Sequence, residues 1–137
     1  MQQLILPQLK YEIDTYRRLL NFITDENVHL KNRLAVVVKD NFEKNLVEEL
    51  DNYLSKFVAQ DELINLLKND ISKIENRLWG QIHDDGEIVK DIYPGLTVLQ
   101  SNILTTQELL ITLCSDFNSF LWEIIVNIKW TTNYPEP

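Results

Sequence analysis

Turn-forming residues are scarce in this sequence, with three glycines and four prolines among 137 residues. A sandwich or barrel needs a reversal roughly every 8 to 12 residues, and so few breakers cannot supply them. Cysteine is scarcer still. Cys114 stands alone, so no internal disulfide can form, and no Asn-x-Ser/Thr acceptor occurs. A reducing, cytoplasmic setting is expected. Positive charge is also short, with 13 Lys and Arg against 21 Asp and Glu and a net charge of -8. Phosphate backbones and anionic lipid surfaces repel such a chain, so neither nucleic acid nor membrane is an expected partner. The most apolar stretch, Leu109 to Trp130, is broken by Asp116, Glu123 and Lys129 and falls short of a membrane span. The opening residues, MQQLILP, offer neither the basic leader nor the apolar core of a signal peptide.

What is present is a balance of 45% hydrophobic and 25% charged residues, which suits one folded, soluble domain over residues 1–137. Apolar residues recur at alternating spacings of four and three, the pattern that turns one helix face toward a partner. Three such runs occur. The first is Leu9, Ile13, Tyr16, Leu20, Ile23, Asn27, Leu30, Leu34 and Val37, with Asn27 its only polar member. The second is Leu46, Leu50, Tyr53, Phe57, Gln60, Ile64, Leu67, Ile71, Ile74 and Leu78, with Gln60 its only polar member. The third is Leu96, Leu99, Ile103, Thr106, Leu110, Leu113, Phe117, Phe120, Ile124 and Asn127.

The first two runs are out of phase, and the gap from Lys39 to Asn45 holds two helix-start signatures, Asp40 with Glu43 and Asn45 with Glu48. A turn is expected there, although the lack of Gly or Pro leaves one continuous helix through Asp40 to Asn45 as the rival. Residues 80–95 contain all the glycines and one proline and read as a loop. The spacing predicts helices over about 8–38, 45–79 and 96–130, each on the order of 45 to 52 Å long, with a frayed tail over 131–137. Matched lengths suit an all-α fold, three long helices in an antiparallel up-down-up bundle with coiled-coil-like heptad packing. The third helix is apolar beyond its seam through Val98, Leu104, Leu109, Ile111, Cys114, Leu121, Ile125 and Ile128, and a helix of that kind should be covered on most sides.

Asn27, with Leu30 and Leu34 beside it, fits the core of a parallel two-stranded coiled coil, where facing asparagines hydrogen-bond to each other. Such a dimer would pair Glu12 with Arg17 and Glu26 with Lys31, both attractive. The competing expectation places Asn27 at the edge of an intrachain bundle with its amide in water. Phe117, Phe120, Trp122, Trp130 and Tyr134 concentrate aromatics at the C-terminal end, where the two off-seam tryptophans are either bundle-edge packing or anchors for another chain, with Phe117, Trp122, Ile125 and Trp130 as interface candidates.

Reactive constellations are not apparent. Glu26 and His29 have the Glu-x-x-His spacing of di-iron bundles, but His83 has Gly80 three residues before it and no seam carries a glutamate. The acidic loop His83, Asp84, Asp85, Glu87 and Asp91 lacks the alternating ligands of a calcium loop. Cys114 is expected to be a buried, inert thiol, since no histidine or basic residue lies near it in sequence. No catalytic residue, cofactor or metal ligand is therefore assigned, and an enzyme is not expected.

The stretches Glu26-Asn27-Val28-His29-Leu30-Lys31-Asn32-Arg33-Leu34 and Asp61-Glu62-Leu63-Ile64-Asn65-Leu66-Leu67-Lys68-Asn69-Asp70-Ile71 resemble the small coiled-coil proteins of Bacteroidetes-type bacteria over residues 20–79. That family has no assigned activity, so the resemblance implies helical architecture and a bacterial cytoplasm but no site. The expected function is a non-catalytic helical interaction or scaffold protein, acting through self-association, as a homodimer, or through a helical protein partner. The alternative is a small-molecule- or metal-binding bundle with a pocket lined by Tyr16, Tyr53 and Trp122.

Overall fold

The computed structural model describes residues 5–40, 44–79, 86 and 88–133, and among them there is no strand. Helix α1 spans Ile5–Asp40 and α2 spans Lys44–Trp79. A π-helical turn, Ile88–Ile92, passes directly into α3, Tyr93–Asn133. The protein is all-α, with three long helices packed on one another. Among the described residues no helix is long and apolar enough to cross a membrane.

The buried residues of α1 are Leu9, Ile13, Tyr16, Leu20, Ile23, Asn27, Leu30 and Leu34, and nothing between them is buried. Helix α2 buries Leu50, Phe57, Gln60, Ile64, Leu67, Ile71 and Leu78, with Tyr53 and Ile74 half-buried. In α3 burial falls on every position of the third run from Leu96 to Ile124. Spacings of four and three keep these side chains on one stripe of each helix, so all three stripes merge into a single apolar cluster. Each fully buried Leu, Ile or Phe contributes about 1.5–3 kcal/mol relative to exposure, which is what holds three solvent-facing rods together.

Cross-helix pairs give the directions. Lys10 lies over the Trp79 ring, Arg17 pairs with Glu75, and Lys31 pairs with Asp61. Numbers rise along α1 as they fall along α2, so the two helices run antiparallel and no single helix continues through Asp40 to Asn45. Residues 41–43, where the turn is expected, lie outside the described set. Between α2 and α3 the pairs Tyr53 with Asp116, Gln60 with Thr106 and Arg77 with Asp91 also run in opposite senses.

Three expected boundaries need correction. Asn45 lies inside α2 rather than capping it, because the helix already begins at Lys44. Thr131, Thr132 and Asn133, expected in the tail, are helical. The loop expected over 80–95 is shorter, since Ile88 onward is helical. Pro94 and Gly95 looked like breakers, yet both are helical, at the junction where the π-helical turn passes into α3. The π-helical turn just ahead widens the backbone where Pro94 cannot donate, and the Asp91 carbonyl accepts from Arg77 Nη2 at 3.1 Å. Gly95 has no left-handed φ, and a Cβ placed on it would lie 3.8 Å from Ile74 Cδ1, an ordinary contact.

Candidate functional site

Among the described residues each helix contributes one buried polar side chain, Asn27 from α1, Gln60 from α2 and Thr106 from α3. Asn27 Nδ2 donates to the Phe57 carbonyl at 3.0 Å and to Asp61 Oδ1 at 2.6 Å. Those two acceptors bracket Gln60, whose Nε2 donates to the Thr106 carbonyl at 3.0 Å. Thr106 Oγ1 in turn donates to the Asn102 carbonyl at 2.8 Å. The three therefore share one level across the bundle. Asn27 Oδ1 is buried without a hydrogen-bond partner, and an orphaned acceptor of this kind costs on the order of 1–3 kcal/mol.

These contacts correct the reading of Asn27. It is 0% exposed and bonded to α2 of its own chain, so it is neither an edge amide in water nor free to face a second copy. Leu30 and Leu34 are buried beside it. The charges that suited a parallel dimer are also used internally, Arg17 by Glu75 and Lys31 by Asp61 at 2.5 Å.

Next along the bundle is an aromatic layer. Phe57 and Phe117 meet edge to face with centroids 5.2 Å apart and planes at 87°. Tyr53 packs 5.1 Å from both Phe117 and Phe120, and Arg33 of α1 lies over Phe117. Phe117 is thus a core residue rather than a contact for another chain. The Tyr53 hydroxyl donates to the Asp116 carbonyl at 3.2 Å. Burial, then the carboxylates of Asp116, Glu49 and Glu123, push its pKa above the ordinary phenol value of 10.0. Tyr16 is raised in the same direction, first by burial and then by Glu12 and Tyr93. Because Tyr16 lies by Tyr93 near the start of α3 while Tyr53 lies by Phe120, the two are at opposite ends of the bundle. The pocket expected from Tyr16, Tyr53 and Trp122 does not form.

Beyond the core, α3 carries two apolar flanks. Leu104, Ile111 and Trp122 lie within about 20° of one another around the helix and are 48%, 60% and 66% exposed. Leu109 lies on the opposite flank and is also exposed, facing a groove between α2 and α3 that it shares with Leu63 and Leu66. Within one chain the two partner helices reach only the seam of α3 and leave its flanks exposed. Ile125 and Trp130 have side chains outside the described set.

No family model, curated protein or solved structure matches the chain.

The remaining singled-out residues are scattered. His29 is exposed and Glu26 half-buried. Cys114 is half-buried rather than buried, with Asn118 Nδ2 3.6 Å from its sulfur. Of the acidic loop only Asp91 is described, and His83, Asp84, Asp85 and Glu87 lie outside the described set. Among the described residues no three His, Cys, Asp or Glu side chains are grouped as metal ligands would be. The polar layer was open to sequence reasoning. Asn27 and Gln60 stand within a helical turn of equidistance from residues 41–43, which puts them at one level in any hairpin.

Proposed function

We infer that this protein is a non-catalytic helical interaction protein, which presents helix faces to a helical partner or to a second copy of itself. The observation that carries the reading is the exposed flank of α3, where Leu104, Ile111 and Trp122 align on one face over about five turns, with Glu108, Ser115 and Asn118 between them. Scattered apolar residues are ordinary on a surface, whereas three large ones aligned on one helix face, a tryptophan among them, suit contact with another chain. The lone, half-buried Cys114 and the acidic balance accord with work in a reducing cytoplasm.

The simplest occupant of the stripe is the same stripe on a second chain, giving a homodimer through α3 instead of α1. Light scattering and native mass spectrometry at micromolar concentration test this directly. The expected result is a mass of two chains that returns to 16.2 kDa when Ile111 and Trp122 are both replaced by lysine. A persistent mass of 16.2 kDa carrying a bound metal or small molecule would instead favour a ligand-binding bundle.

A further inference from the structure

The groove between α2 and α3 is continuous. A cleft of about 410 Å³ is bounded by Lys56 and Asp116, which also border a second cleft of about 320 Å³. Leu63 and Leu109 then join the second to a third, also about 320 Å³ and reaching Asp70. From Glu49 to Asp70 the groove runs about 30 Å at the helical rise. Its middle is largely apolar, with Ala59, Leu63, Leu66 and Leu109 along its walls beside Gln60, Asn102, Thr105 and Thr112. Its ends are acidic. Glu49, Asp116 and Glu123 line one end and Asp70 the other, against Lys56 as the one cation among the lining residues.

We propose that this groove receives an amphipathic helix of a partner protein, apolar on one face and basic along its flanks, as the fourth rod of the bundle. The proposal rests on the reading of the chain as an interaction protein and assigns it a second surface with a different occupant. Two antiparallel helices leave a straight trough, and a fourth helix laid in it completes a four-helix bundle. Apolar contact with Leu63, Leu66 and Leu109 supplies the attraction, and the acidic ends select the sign of the flanking charge. A second copy fits poorly, since it would set the same carboxylates against each other on a chain of net charge -8.

The test uses the full chain and two synthetic helical peptides of equal length, each with leucines at alternating spacings of three and four. One has lysine and arginine along its flanks, the other glutamate. The basic peptide is expected to bind, to weaken as salt rises, and to shift the amide resonances of Ala59, Leu63, Thr105 and Leu109. Leu66→Lys and Leu109→Lys, which alter exposed side chains and should leave the circular dichroism unchanged, are each expected to weaken binding by about tenfold or more. Equal binding of the acidic peptide overturns the proposal, as does binding insensitive to both substitutions. It is also overturned if the chain dimerises and Leu66→Lys alone abolishes the dimer. Loss of self-association in the Ile111 and Trp122 variant, with no peptide binding in the groove, removes this proposal and leaves the interaction reading standing. A chain that remains single and binds neither peptide removes both.

Discussion

Asn27 and Asp61 meet across α1 and α2 with Nδ2 and Oδ1 2.6 Å apart, and the other carboxylate oxygen of Asp61 is held by Lys31 at 2.5 Å. One side chain on α2 thereby fixes two on α1, one turn apart. A half-turn slip of the hairpin would separate all three and leave Asn27 buried among leucines and isoleucines. The arrangement specifies alignment more than it adds stability, because a part-exposed ion pair contributes only about 0–1 kcal/mol.

Replacement of Asn27 separates those two effects. Asn27→Leu removes the orphaned Oδ1 and leaves Asp61 with Lys31, so the urea midpoint should rise while the mass in solution stays unchanged. A change in oligomer number would show that Asn27 does face another chain. Asn27→Asp sets a buried carboxylate beside Asp61 and should cost about 3 kcal/mol or more at neutral pH. Burial and the like charge raise the pKa of the introduced carboxyl, so its penalty is present above the carboxylate range and shrinks as pH falls through it. A penalty independent of pH would contradict this.

Phe57 is the residue on which the aromatic layer closes. It is 0% exposed and set edge-on to Phe117. Phe57→Ala should destabilise by about 3–5 kcal/mol in chemical denaturation. A loss below 1 kcal/mol would mean that Tyr53 and Phe120 collapse into the space.

Gly95→Ala should act in the opposite direction. The site is helical and exposed, and the added methyl meets Ile74 Cδ1 at an ordinary 3.8 Å. Stability should increase by about 0.5–1 kcal/mol through helix propensity. A lower thermal midpoint would show that the start of α3 packs more closely on α2 than these atoms do.

Alkaline pH should weaken the fold through Tyr16 and Tyr53, whose pKa values burial raises above 10.0. The folded state keeps protons that the unfolded chain releases near that value. The resulting stability is whole below about pH 10 and is lost as pH rises through the folded-state pKa. Urea midpoints between pH 8 and 11 should therefore fall, and Tyr53→Phe should make the fall shallower. An identical slope in the variant would assign the loss to other groups.

The core was legible because burial in a helical bundle is a matter of period, and every buried position of α1 and α2 belongs to a run that the spacing alone picks out. The boundaries near Pro94 were not. A proline at a helical junction and a proline in a loop look alike in sequence, and only the π-helical turn ahead of it separates them. Asn27 was misread for a different reason. Arg17 and Lys31 attract any carboxylate placed opposite them, so Glu12 and Glu26 of a second chain and Glu75 and Asp61 of the same chain satisfy one pattern equally well. The exposed flank of α3 was visible as excess apolar residues, but its coverage depends on how many helices are present, which no single run encodes.

Lys10 caps one face of Trp79, which remains 46% exposed, and Trp122 is 66% exposed, whereas the phenyl rings of Phe57 and Phe117 are fully enclosed. These two indoles thus stand outside the cluster that holds the helices together. With Trp130 replaced by phenylalanine, the emission of Trp79 and Trp122 should already resemble that of an indole in water and change little when the bundle melts. The emission of Trp122 should move to shorter wavelength when another surface covers α3, so this indole registers encounters rather than folding.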